Sequence, residues 1–443
     1  MTNWGRLTYL LYRLRASFWF VPGGMAVGAF LLAGVSLWLD QAGVSDALRP
    51  FGVPFAIEEN AARELLSTLT GAMVTVVSLV FSLTLVTLTV AAGNLGARLL
   101  ERYMQNRVIQ VTMGLFVGAF IYGIVVLSTV GNGLFGVPAL SVSLMVLISI
   151  VAVGWLMYAF NDLARSLQID QAVAGIATVL RTRITESAVR ARDLRQSESD
   201  ADWEHEENFP DGAPRRTVQA GFAGYVESID CDALAALARV HGMAVDMRVA
   251  QGDHVSEIDP IATLVGGQLG EAELPARVRE AVSVGSVRTE ADDPMFLVHL
   301  LVEIACRALS PGINDVYTAL TCADHLNDAL VHALRERLPR LRVHDRDGRL
   351  LLRTRSVDIA RMADVVLSTL RRNGTANTTF ALRLIENLGR LAPAAAGHAT
   401  APLFLEHLDR IARDAATHVP EIDRAAIEAA ADRSRSGFSQ LES

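Results

Sequence analysis

The stretch LLSTLTGAMVTVVSLVFSLTLVTLTVAAGNLGA (residues 65–97) carries no charged residue, and neither does VIQVTMGLFVGAFIYGIVVLSTVGNGLFGVPALSVSLMVLISIVAVGWLMYAFN (108–161). The only charges between them are Arg98, Glu101, Arg102 and Arg107. A water-facing core of this length would be broken by charges every turn or two. Roughly 20 consecutive apolar residues cross a bilayer, so the second run is long enough for two crossings. The turn Gly131-Asn132-Gly133 through Gly136-Val137-Pro138 divides it, because these residues interrupt a continuous helix. These runs read as part of an integral membrane protein.

Working outward, an earlier span covers about 18–39, with Phe18, Trp19 and Phe20 at one end and Trp38 at the other. Such rings favour the membrane interface. Arg6, Arg13 and Arg15 precede it, and its apolar run is too long for a cleavable signal core. The four expected spans are 18–39, 68–92, 110–130 and 139–160, forming a transmembrane domain over 1–162. Arginines lie before the first span, after the second (Arg98, Arg102, Arg107) and after the fourth (Arg165, Arg181, Arg183). The 40–67 loop is acidic instead, with Asp40, Asp46, Glu58, Glu59 and Glu64. By the positive-inside rule, both termini are expected to be cytoplasmic at a bacterial inner membrane.

The second span is rich in hydroxyls. Gly71, Thr75, Ser78, Ser82 and Thr89 recur at three-, four- and seven-residue steps, which puts them on one helical face. Two readings stay open. Small and hydroxyl residues permit close helix packing, or the face lines a polar path through a homo-oligomer. No span interior holds a charge, which disfavours a proton relay built on membrane carboxylates.

The chain has 443 residues and a net charge of −8, with 48 acids against 40 basic residues, all of them arginine. The balance gives no support for nucleic-acid binding. The absence of lysine excludes Schiff-base chemistry and lysine-attached cofactors, and no cofactor is expected. Cys231, Cys306 and Cys322 form no Cys-x-x-Cys pair, which points to free thiols.

Beyond the spans, a helix is expected to leave the membrane over 163–196, followed by an acidic linker over 197–214. A small β-rich subdomain fills 215–283. Strands are expected near 217–229, 244–249 and 261–265, with a short helix over 232–241. Gly252-Asp253-His254-Val255 resembles the turns of barrel-sandwich folds, where the glycine takes a positive φ and the valine re-enters the core. A helical domain follows over 284–433, broken by a hairpin at Asp347-Gly348, Asn373-Gly374, Pro393 and Pro420, with a frayed tail over 434–443. The fold class is thus an α-helical polytopic membrane protein with an α+β cytoplasmic domain.

The densest chemistry lies in VGSVRTEADDPMFLVHLLVEIACRALSPGINDVYTA (284–319). Asp292-Asp293-Pro294 suits a helix start, and Ser310-Pro311-Gly312 stops that helix. Asn314 is placed to cap the next helix, with Asp315 in its first turn. His299, Glu303 and Cys306 fall on one face of the first helix, with Cys322 and His325 on its neighbour. These types suit zinc, but a small thiol usually packs as a hydrophobe, so no metal is expected. Arg288, Arg307, Ser310, Asn314 and Asp315 form a corner with two open readings. It is structural, or it binds a small anionic ligand at a helix N-terminus.

Here the chain resembles a family of bacterial inner-membrane proteins catalogued only as a domain of unknown function. The carrying residues are Arg288-Thr289, Asp293, residues 301–305 and Ala308-Leu309-Ser310-Pro311-Gly312-Ile313-Asn314-Asp315. Val80-Phe81-Ser82-Leu83, Arg98-Leu99, Gly224-Tyr225-Val226 and Gly252-Asp253 add to these. The family pattern usually has proline after that aspartate, where this chain has Val316. The resemblance implies a membrane topology and no reaction. The expectation is a non-enzymatic, homo-oligomeric, channel-like conduit gated by its soluble part. The alternative is a membrane-anchored sensor or scaffold for an anionic ligand. Its expected partners are the lipid bilayer and further copies of itself, not nucleic acid.

Overall fold

The computed structural model describes residues 18–45, 58–95, 107–131, 137–166, 168–193, 209, 212–286, 288, 293–336, 342–345, 347–354 and 358–439. The chain divides into two compact units, Met1–Ile169 and Asp170–Ser443.

Among the described residues the first unit contains α1 (Phe20–Gln41), α2 (Glu59–Leu95), α3 (Arg107–Thr129) and α4 (Ala139–Ser166). All four are long and apolar enough to cross a membrane. At 1.5 Å per residue, the 37 residues of α2 extend about 55 Å, well past the hydrocarbon core. Their outward faces are apolar: Phe30, Leu31, Val86, Ile150 and Met157 are exposed. In water that surface would be a large aggregation liability; in lipid it is the correct solvent.

The centre of this unit is α3, and glycines set its spacing. Gly114 and Gly118 lie against Pro22, Met25 and Ala29 of α1, and Gly123 lies against Thr70 of α2 and Met145 of α4. Added Cβ atoms would collide there, so α3 approaches its neighbours through small residues. Phe116, Tyr122, Leu66 and Met145 fill the core between the helices.

The second unit opens with α5 (Ile169–Asp193), whose Val173, Ile176, Leu180 and Ile184 are buried. Two sheets follow. The first has the order β1 (Arg215–Gln219), β5 (Pro260–Val265), β3 (Ala244–Met247), β8 (Leu350–Arg353), β7 (Arg342–His344). The second has the order β4 (His254–Val255), β2 (Gly224–Ile229), β6 (Val282–Gly285). Two short helices belong with them, α6 (Cys231–His241) and α7 (Leu274–Glu280). The single strand expected over 217–229 is two strands in different sheets, divided at Gly221 and Gly224, both with positive φ. Gly252 does take a positive φ of 82°, and Val255 is buried. The 347–348 hairpin lies inside the first sheet, because β8 pairs in parallel with β3.

The helical part comprises α8 (Pro294–Ala308), α9 (Val316–Arg335), α10 (Ile359–Gly374), α11 (Thr378–Ala395), α12 (Ala401–His418) and α13 (Glu421–Ser439). Asp293, Asp315, Asp358 and Asn377 cap α8 to α11 through side-chain oxygens. α8 packs on α9 and α10, α9 on α11, and α11 and α12 on α13. Two expected boundaries are corrected. Pro393 does not end α11, which continues to Ala395; the proline lacks one N–H donor, and the helix ends two residues beyond it. The expected tail from residue 434 is helical through Ser439, with Ser434 buried and donating to the Ile385 carbonyl at 3.1 Å.

Candidate functional site

The residues singled out in 284–319 gather at the two ends of α8, not in one corner. At its N-terminus Asp293, 2% exposed, accepts from Met295 N at 2.9 Å and from Arg288 Nη2 at 2.7 Å. Burial raises the Asp293 carboxyl above its usual range, although Arg288 opposes the shift. His299 Nδ1 lies 2.8 Å from the Met295 carbonyl and 3.3 Å from Arg288 Nη1. The turn between β3 and β4 arrives from the other side. A Cβ on Gly252 would strike Asp293 Oδ2 and the Arg288 guanidinium, so only glycine permits the approach. Next to it Asp253 accepts from Ala250 N and from Arg361 Nη2, each at 2.8 Å. Gly252, Asp253, Arg288 and Asp293, all carriers of the family resemblance, therefore form one joint between the sheets and the helices. Both of its carboxylates are paired with guanidinium groups.

At the other end of α8, Ser310 Oγ donates to the Arg307 carbonyl at 2.6 Å and Asp315 N to the Ala308 carbonyl at 2.8 Å. Asn314 has φ +50°, the only positive value among the described non-glycine residues. It is therefore not the cap. Asp315 is, accepting from Thr318 N at 3.1 Å and Thr318 Oγ1 at 2.6 Å. Asn314 instead supplies the left-handed step that asparagine tolerates. Arg307 pairs with Glu303 one turn back, at 3.6 Å. With 15 residues in α8, Arg288 and Asn314 are about 20 Å apart. The combined Arg288/Asn314 anion site does not form.

His299, Glu303 and Cys306 do share a face of α8, and Cys322 of α9 is fully buried. Burial raises both thiols, Cys322 to about 12, so both stay protonated at neutral pH. Among the described residues no group of three or more His, Cys, Asp or Glu is arranged to hold a metal.

On α2 the packed residues are Ala62, Leu66, Thr70, Met73, Val80 and Thr87. Gly71, Thr75, Ser78, Ser82 and Thr89 lie on the opposite, exposed side. Thr75, Ser78 and Thr89 donate to the carbonyls of Gly71, Val74 and Leu85. Each hydroxyl oxygen thus keeps acceptor capacity directed outward.

Two clusters escaped the sequence reading. Ser36, Tyr122 and Ser141 form a buried hydrogen-bonded set with Asp40; an acid four residues after a serine at the end of an apolar span was the available signal. The other surrounds Asp246, 4% exposed, which Arg353 grips through Nε at 2.8 Å and Nη2 at 3.0 Å. A lone acid within AVDMRVA (244–250) marked it.

Together these features define a polytopic helical membrane protein carrying an α+β unit. The chain belongs to the family described as predicted membrane protein (DUF2254), whose model matches residues 15–390. It is similar to uncharacterized proteins of Mycobacterium bovis and Mycobacterium tuberculosis, each 28% identical over 403 residues, 86% of this chain and 73% of theirs. No solved structure matches it.

Proposed function

We propose that the protein is a non-enzymatic, homo-oligomeric conduit of a bacterial inner membrane, with both termini cytoplasmic. The exposed hydroxyl face of α2 lines its path, and the unit beyond Asp170 gates it. One observation carries this reading. Gly71, Thr75, Ser78, Ser82 and Thr89 lie opposite the face by which α2 packs on its own chain. Outward hydroxyl oxygens facing a second copy, instead of lipid, would offer water or ions the acceptors that permeation needs. The arginine distribution about the spans supports the sidedness.

Flux through liposomes reconstituted with the full chain tests it. Ser82→Leu and Thr89→Leu replace hydroxyls on an exposed face, so the protomer should fold as before while flux falls at least tenfold. Absence of flux in the parent, or unchanged flux in the double variant, overturns the reading. A sensor or scaffold is the second reading. It loses the Arg288/Asn314 site, since Arg288 is committed to Asp293.

A further inference from the structure

We propose that the polar face of the five-stranded sheet binds a small oxyanion, a phosphate or carboxylate group, through Arg215, Arg248 and Arg353. The cross-strand register puts Thr263, Asp246 and Arg353 side by side on one face. The alternate positions Val245, Met247, Leu264 and Leu352 supply the apolar core on the other face, as the period-2 alternation of strands requires. A sheet with α6 on its apolar side would ordinarily turn mixed polar residues outward. This one instead holds a cleft of about 200 Å³ lined by Phe209, Arg215, Asp246, Arg248, Thr263, Val265 and Arg353.

Charge and geometry then specify the ligand. Among the described residues the lining contains three guanidinium groups and one carboxylate, and arginine stays protonated under any ordinary condition. Arg353 is fixed from two sides: Asp246 takes its Nε and Nη2, and the Phe209 ring stacks 4.3 Å from its Cζ. Arg248 reaches Asp246 Oδ2 through Nη2 at 3.3 Å and donates from Nε to Thr263 Oγ1 at 3.1 Å. These contacts orient its plane while its side chain remains 48% exposed. Arg215 stands exposed on the edge strand β1. Asp246 therefore acts as a positioning residue that presets the arginines, and guanidinium groups held in fixed planes around one cleft suit a planar or tetrahedral oxyanion bound by forked donors.

Titration calorimetry of the full chain in detergent tests this, with inorganic phosphate and acetate as probes against chloride at equal ionic strength. The expected result is saturable binding of at least one probe, weakened tenfold or more by Arg215→Gln and again by Arg248→Gln. Arg372→Gln, an exposed arginine on α10, should leave it unchanged. Heats no larger than those of chloride, or parent affinity retained in the Arg215→Gln/Arg248→Gln variant, overturn the proposal. Should that double variant not fold, Arg215→Gln alone decides, because an exposed edge-strand arginine is dispensable to the core. The titration reads binding alone, so its outcome is independent of whether the membrane unit conducts.

Discussion

Asp40, the penultimate residue of α1, caps Ser141 at the start of α4: its Oδ2 accepts from Ser141 N at 2.9 Å and from Ser141 Oγ at 2.7 Å. Its Oδ1 accepts from Leu140 N at 2.9 Å. One helix thus supplies the carboxylate that another needs for its first-turn N–H groups and positive dipole end. Nearby, Arg63 of α2 donates to the Val130 carbonyl beyond the C-terminus of α3 at 2.9 Å. Removing the cap by Asp40→Ala should cost about 2 kcal/mol. It should lower the melting temperature of the detergent-solubilised protein, with Asp40→Asn intermediate. An unchanged melting temperature in Asp40→Ala would show that lipid-side packing alone holds α1 to α4.

Thr70 offers the opposite sign. Its Oγ1 is buried beside Gly123 without a hydrogen-bond partner. An unmade bond to a buried hydroxyl costs about 1–3 kcal/mol, and valine has nearly the same shape. Thr70→Val should therefore stabilise by about 1 kcal/mol, whereas Gly123→Val should destabilise by about 2 kcal/mol through overpacking. Comparative melting of the two variants checks both, and destabilisation by Thr70→Val would refute the packing described for α2.

At the joint, Asp293→Ala should remove a helix cap and leave Arg288, only 18% exposed, without its carboxylate. Losing one member of such a pair costs about 3 kcal/mol. Asp293→Asn keeps the cap and should cost less. Urea unfolding followed by the helical signal separates the cases. Equal losses would mean that the ion pair, not the cap, carries the effect.

His407 is 1% exposed, and neither ring nitrogen has a hydrogen-bond partner. Burial holds its pKa below the usual 6.5, outweighing Asp364, whose carboxylate lies 3.8 Å away and is 64% exposed. On unfolding the ring would take up a proton near pH 6.5 that the folded ring resists. Stability contributed by the neutral ring is therefore full above that pH and declines as pH falls below it. His407→Leu should flatten the fall in melting temperature between pH 7.5 and 5.5. An identical slope in the variant would exclude this ring as its source.

How legible all this was depends on the range of the signal. The four membrane helices could be read because lipid forbids charge along a whole span, a constraint written locally in 65–97 and 108–161. The hydroxyl face of α2 was equally visible, but the direction it turns depends on glycines in α3, another helix. Arg288 and Asn314 are near in sequence, yet a straight helix lies between them, and only its length reveals the separation. The caps were read one residue out at Asn314, since either neighbouring side chain suited the role. The Asp246–Arg353 pair joins positions 107 residues apart, and no local pattern connects such strands.

That last pairing sets an order of events during synthesis. β3 leaves the ribosome roughly 100 residues before β8 exists, and its edge is a template for misassociation until β8 arrives. Nascent chains halted before residue 350 should hence recruit holding chaperones, and release from them should coincide with emergence of the 342–353 hairpin.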